Sequence, residues 1–404
     1  MKARLLITTS LLMAACGDSR GDQPGPLGDA GPDGSVHMDA AAGSDAGDAA
    51  DAAAQDAAAD AGSELCTALP VPADCPPLTG NALPQELRCT GLYADSQSRR
   101  LACGVTEYAP AFALWSDGAD KHRYLWLPPG TKIDVSSPDG FVFPEGTRLW
   151  KEFRVVDGDH TRLGETRLLM KRAGVWSATT YVWSEDETTA VQNNDGVANL
   201  YGTGHTVPTR DQCSQCHSGR PDFALGFDPI MLGPGASGLS MQTLFDRGLL
   251  IDANSADGLP AASLLSAKPP GDAVESAALG YLHANCGVSC HNQEAFAEAK
   301  QSGLNLRLEQ GEYGSVFDTD AVKTSLNQGY GNNAVLPSPV PAGGYLRVRP
   351  TDPTRSLLLG RMAVRGPAQM PRIATNQVDD KGVTAVRLWI EQMTEARGYP
   401  APNP

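Results

Sequence analysis

Cys213-Ser-Gln-Cys216-His217 sets two thiols and an imidazole in the order C-x-x-C-H, and Cys286-Gly-Val-Ser-Cys290-His291 repeats that order with one more residue between the thiols. The chemistry such a run serves is covalent capture of haem. Two thiols on a short loop reach neighbouring vinyl groups as thioethers, and chain continuity delivers the next residue's imidazole to iron. At this chain's own Cys and His frequencies, C-x-x-C-H arises by chance on the order of a few times per thousand such sequences. In the stretched run, Gly287 is expected to permit a bulged loop because it tolerates unusual backbone angles. Attachment through Cys290 alone is the rival arrangement. The expected cofactors are therefore two covalently attached haem c groups, held by Cys213, Cys216, His217, Cys286, Cys290 and His291. A four-thiolate zinc site is opposed by the long separation of the pairs and by the histidine directly after each.

Each iron also needs a group opposite its histidine. For the second haem, Gln369-Met370-Pro371 offers Met370, with Met362 in reserve. A His–Met pair raises the reduction potential and leaves no open position, as an electron carrier requires. For the first haem, His205, Met231, Met241 and His283 all lie within chain reach, with His205 ranked first and Met231 next. If none coordinates, that iron is five-coordinate and open to a small ligand or peroxide.

Helices must present these groups. Asp272-Ala-Val-Glu275 is a capping box, and Val274, Ala277, Ala278 and Tyr281 follow at helical spacing toward Cys286. Val383, Val386, Trp389, Ile390 and Met393 mark a second amphipathic helix, expected to close at Gly398 and Pro400. From about residue 105 to 200 the pattern is that of strands. Arg148-Leu-Trp-Lys-Glu-Phe-Arg-Val-Val156 is one strand, and a hairpin joins residues 166–171 to 175–183 around Arg172-Ala173-Gly174. Five of the six tryptophans fall in this stretch and are expected to fill its core rather than line a ligand surface. The carboxylates of Trp115-Ser-Asp117-Gly-Ala-Asp120 match no calcium loop and are expected to be turn residues.

At 404 residues the chain has room for two or three domains. Lys2 and Arg4 precede a short apolar run ending Leu-Met-Ala-Ala-Cys16, the form of a secretory signal (residues 1–15) followed by a lipid-bearing Cys16. Residues 17–64 are dominated by Gly, Ala, Asp, Ser and Pro and are expected to be a disordered tether. Their eleven acidic residues and one Arg account for most of the formal charge of −15; setting aside this −10 and the +2 of the signal leaves about −7 for residues 65–404. No nucleic-acid partner is indicated. Cys66, Cys75, Cys89 and Cys103 form an even set in an exported context, so two disulfides of open connectivity are expected.

The chain resembles a family of exported dihaem c-type cytochromes with a β-rich N-terminal domain. Besides the two haem sequences, the resemblance rests on Ala113-Leu-Trp-Ser-Asp-Gly-Ala119, Leu127-Pro-Pro-Gly130, Phe143-Pro-Glu-Gly-Thr147, Glu165-Thr-Arg-Leu-Leu169, Tyr281-Leu-His-Ala-Asn-Cys286 and Asp352-Pro-Thr-Arg-Ser-Leu-Leu358. The stretch from Asp272 onward is similar to single-haem class I cytochromes c, with an insertion between His291 and Met370. The fold expected is α+β and multidomain. A disulfide-containing β-rich sandwich- or barrel-like domain (65–204) precedes an α-helical, cytochrome c-like dihaem region (205–404), its first haem about 205–270 and its second about 271–400. The resemblance implies a lipid-anchored protein on the periplasmic side or outer membrane, passing electrons between redox partner proteins that it does not identify. The alternatives are a dihaem peroxidase or oxidase with an open first haem, and a ligand-binding lipoprotein with accessory haem.

Overall fold

The computed structural model describes residues 66–403, so the expected signal segment, Cys16 and the tether lie outside the described residues. The fold is α+β. A small hairpin, β1 (Tyr93–Asp95) with β2 (Arg100–Leu101), precedes an antiparallel meander. The meander runs in the order β3 (Thr106–Tyr108), β4 (Asp120–Trp126), β6 (Arg148–Asp157), β7 (His160–Arg172), β8 (Val175–Trp183) and β9 (Ala190–Asn193). β7 and β8 join where Arg172 pairs with Val175, and Ala173 and Gly174 take positive φ of 50° and 73°. That is the backbone a two-residue hairpin requires, because its twist matches that of the strands.

The expected sandwich or barrel is instead one open sheet with a different layer on each face. Alternation along the strands splits the side chains. Tyr124, Trp126, Trp150, Leu168, Met170, Tyr181 and Trp183 form one core with Leu83, Leu87 and Leu92 from the N-terminal segment. Disulfides Cys66–Cys103 and Cys75–Cys89 pin that segment, settling the connectivity the sequence left open. On the opposite face, Leu125 and Leu149 share a core with Phe227, Leu232, Leu239 and Leu244. The division expected at residue 204 is thus crossed by a common core, and the described residues belong to one compact unit. Strand pairing crosses it too: β5 (Ile133–Asp134) runs parallel to β10 (Leu250–Ile251). A sheet with two apolar faces needs cover on both sides, and the later half of the chain supplies the second cover.

Beyond residue 205 the helices are short: α1 (Arg210–His217), α2 (Met241–Asp246), α3 (Ala262–Leu265), α4 (Ala273–Leu282), α5 (Asp320–Ser325), α6 (Leu357–Met362) and α7 (Asp380–Glu391). The box at Asp272 and Glu275 caps α4 as expected. The helices α4 and α7 pack closely, with Gly382 beneath the Tyr281 ring, where a Cβ would lie 2.1 Å from Cζ. The terminal helix stops at Glu391, earlier than Gly398. The chain then turns back so that the Tyr399 hydroxyl donates to Glu275 (2.7 Å) and accepts from Trp389 Nε1 (3.1 Å). Among the described residues no helix is long and apolar enough to cross a membrane.

Candidate functional site

The two Cys–His sequences arrive at one place. A cavity of about 720 Å³ is lined by Cys216, His217, Cys286, Cys290, His291 and Met370, among others. That volume is within the range of about 300–1,000 Å³ typical of cofactor pockets. The segments carrying the two sequences touch directly. Gly219 lies so close to Ser289 that a Cβ would sit 2.0 Å from the Ser289 carbonyl oxygen. Asn292, fully buried, donates to the carbonyls of both Gly219 (3.3 Å) and Gly287 (2.7 Å).

The first sequence lies on α1, capped by Thr209 and Gln212 in a capping box. His217, the last residue of α1, donates from Nδ1 to the Phe223 carbonyl (2.6 Å), which leaves Nε2 with its lone pair free. Burial, then Lys151, pushes its imidazole down to about 3. Cys216 faces the cavity, whereas the Cys213 thiol lies against the Thr209 carbonyl (3.6 Å). A thioether at Cys213 requires that side chain to adopt another rotamer.

The second sequence shows how an additional residue is absorbed. After Leu282 the helix widens into a π turn, His283–Gly287. The Val288 amide bonds the His283 carbonyl (2.9 Å) and the His291 amide bonds the Cys286 carbonyl (2.8 Å), both five residues back. In an α-helix the residue stacked over the first Cys is four further on; in a π turn it is five. The wider turn absorbs the additional residue, and Cys286, Cys290 and His291 all line the cavity, whereas at the first sequence only Cys216 and His217 do. Gly287 is needed for a different reason from the one expected. Its φ is not in the left-handed region. Instead the Leu306–Arg307 backbone crosses it, 2.5 Å from where a Cβ would be. Burial pushes the Cys286 and Cys290 thiols up to about 12 and the His291 imidazole down to about 4.

The residues thus fit a covalently held haem at each sequence: neutral buried thiols, and imidazoles that burial keeps unprotonated. Among the described residues no three His, Cys, Asp or Glu side chains are gathered tightly enough for a bare metal ion.

Of the expected distal ligands, Met370 reaches the cavity on a loop whose amide bonds the Arg361 carbonyl (2.9 Å). Met362 also lines it but is packed into the helical core. His205 borders the cavity with Nε2 bonded to Glu165 (2.8 Å). His283 is excluded, since Nδ1 accepts from the Leu308 amide (2.9 Å) and Nε2 meets Asp228 (3.2 Å). Met231 and Met241 are fully buried and do not border the cavity.

Sequence patterns missed one lining of the cavity. Lys151 and Phe153 of β6 and Arg167 of β7 border it, together with the expected His205 from the loop before α1. A bulge at Gly164, skipped between the pairs Phe153–Glu165 and Arg154–Leu163, re-aims β7 there. Burial alone would raise the Glu165 carboxyl, but Arg167 and His205 hold it low. Burial, Arg123 and Arg167 bring Lys151 down to about 7. The Ala113–Ala119 phrase is a clasp: the Trp115 amide donates to Asn285 Oδ1 (2.6 Å) and Trp115 Nε1 to the Gln377 carbonyl (3.1 Å). Asp117 accepts from the amides of Asn376 and Gln377 (both 2.9 Å to Oδ1), tying the second Cys–His sequence to the Met370 loop. No family model, curated protein or solved structure matches this chain.

Proposed function

We propose that the protein is a dihaem c-type cytochrome whose task is electron transfer. The single observation that carries this reading is that two separate Cys…Cys-His sequences, 69 residues apart from His217 to Cys286, line one cavity. A bound haem iron supplies one-electron oxidation and reduction. The chain's part is to hold, orient and shield. Cys213 and Cys216, and Cys286 and Cys290, are the attachment pairs; His217 and His291 are the proximal ligands; Met370 serves the second iron. The Phe223 carbonyl fixes the His217 tautomer, the kind of outer support that makes ligand position reproducible. A shared cavity would keep the two groups close enough to exchange electrons. Anchoring through Cys16 to a bacterial membrane on the periplasmic side or outer membrane belongs to the same proposal, as do redox partner proteins.

Spectroelectrochemistry of the exported holoprotein tests this. The expected result is two haems that cycle reversibly and stay low-spin, with no turnover of added peroxide. A high-spin ferric haem that turns over peroxide would replace the carrier with a dihaem peroxidase.

A further inference from the structure

We propose that Lys151 and Arg361 each hold a propionate carboxylate of a haem, Lys151 at the first Cys–His sequence and Arg361 at the second; this rests on the dihaem reading above. The observation behind it is the charge of the cavity wall. In a chain whose formal charge is −15, the cavity is lined by Lys121, Lys151, Arg167, Arg347, Arg361 and Arg372 against one carboxylate, Glu298. Cations withdrawn from water without counter-charge are costly, so such a wall calls for an anionic occupant. Haem is one, since each brings two carboxylates with its ring.

Hydrogen bonds sort these cations. Lys121 Nζ donates to the Leu114 carbonyl, Arg167 is neutralised by Glu165 (2.9 Å from Nε), and Arg347 is committed to the carbonyls of Ser302, Gly303 and Thr324. Arg372 is exposed, so water meets its charge. Lys151 Nζ and both Nη groups of Arg361 remain, on side chains only partly exposed, with no hydrogen bond or ion pair among the described residues.

Each of the two belongs to one sequence. Lys151 stands in register between Arg123 and Arg167, so its neighbours across the sheet add charge of its own sign rather than offset it. It lies near enough to Cys216 and His217 for its charge to act on both. Arg361 acts likewise on His291. It is also fastened to the Met370 loop: Nε donates to the Ala368 carbonyl (2.9 Å), and its own carbonyl accepts from the Met370 amide (2.9 Å). The guanidinium is thereby held in place while its two Nη groups stay available as the fork that suits a carboxylate.

Resonance Raman spectroscopy of the holoprotein tests this through the propionate bending bands, with haem content first fixed by pyridine haemochrome and each midpoint potential measured. Lys151→Gln should keep both haems, displace the propionate bands of one, and lower that haem's potential, because a cation offsetting the carboxylate favours the reduced iron. Arg361→Gln should do the same at the other haem. Lys151→Arg and Arg361→Lys keep the charge and should stay near the wild-type potentials; they decide the matter where a glutamine variant fails to load. Unmoved propionate bands in either glutamine variant overturn the proposal, as does displacement at the same haem by both, or failure of a charge-keeping variant to load. A wild type with fewer than two haems is a different failure, that of the dihaem reading itself.

Discussion

Gly219 rests against the carbonyl oxygen of Ser289, with room for hydrogen but not for a methyl group: a Cβ would be 2.0 Å from that oxygen. Position 219 is two residues after His217 and position 289 is one before Cys290. The two Cys–His sequences are therefore fixed against each other by backbone, which gives way less readily than a side chain.

Gly219→Ala should displace both segments. Overpacking of this kind costs about 1–3 kcal/mol or more. Chemical denaturation should show that loss, and haem content should fall at both sequences. Gly314→Ala, where nothing lies within 4 Å of the added carbon, is the control and should change stability by no more than about 0.5 kcal/mol.

Met370 and Met362 both border the cavity and separate by their variants. Met370→Ala should abolish the methionine–iron charge-transfer band and lower the potential of the second haem, with little effect on stability. Met362→Ala should keep the band and cost about 2–5 kcal/mol, because this side chain packs in the core. The opposite pattern would exchange their roles.

Asp228 and His283 form a buried pair beneath the π turn, with Arg220 Nη1 at 3.9 Å from the same carboxylate. Burial would raise the Asp228 carboxyl, but His283 and Arg220 outweigh it and hold it well below the usual carboxylate range. A carboxyl depressed in the folded state stabilises the protein above its unfolded value of about 4. That contribution is lost as pH falls from there through the folded value. Asp228→Asn should therefore cost about 3–5 kcal/mol at neutral pH and flatten the acid limb of a stability–pH profile. An unchanged acid limb would assign the acid sensitivity to other carboxylates.

The disulfides close loops of different length, 37 residues for Cys66–Cys103 and 14 for Cys75–Cys89. Removing either should cost about 2–5 kcal/mol, and chain entropy makes the longer loop worth about 1 kcal/mol more. Paired Cys→Ser variants compared by denaturant midpoint check the order.

What could be read from the sequence was what lies within one element or one short run. The box at Asp272 and Glu275, the hairpin at Ala173-Gly174 and the cysteine parity are all local, and each appears where expected. The partner of each face was not legible. Alternation in β6 separates Leu149, Lys151 and Phe153 from Trp150 and Glu152, yet it does not say that Leu149 enters a core while Lys151 and Phe153 border a cavity. Nothing in the sequence marks Lys151 as a cavity residue; the later half of the chain builds the rest of that cavity. The π turn was equally hidden, since one residue more between thiols fits a bulged loop or a widened helix. Tertiary hydrogen bonds from His283 and the close pass of the Leu306–Arg307 backbone decide between them.

The central claim is that both sequences hold covalent haem. Intact mass of the exported protein, combined with a pyridine haemochrome spectrum and mass mapping of the haem peptides, tests it most directly. The account predicts two haems per chain, one on the peptide of Cys213 and Cys216 and one on that of Cys286 and Cys290, with two thioethers at the second. One haem per chain, or none, would contradict it.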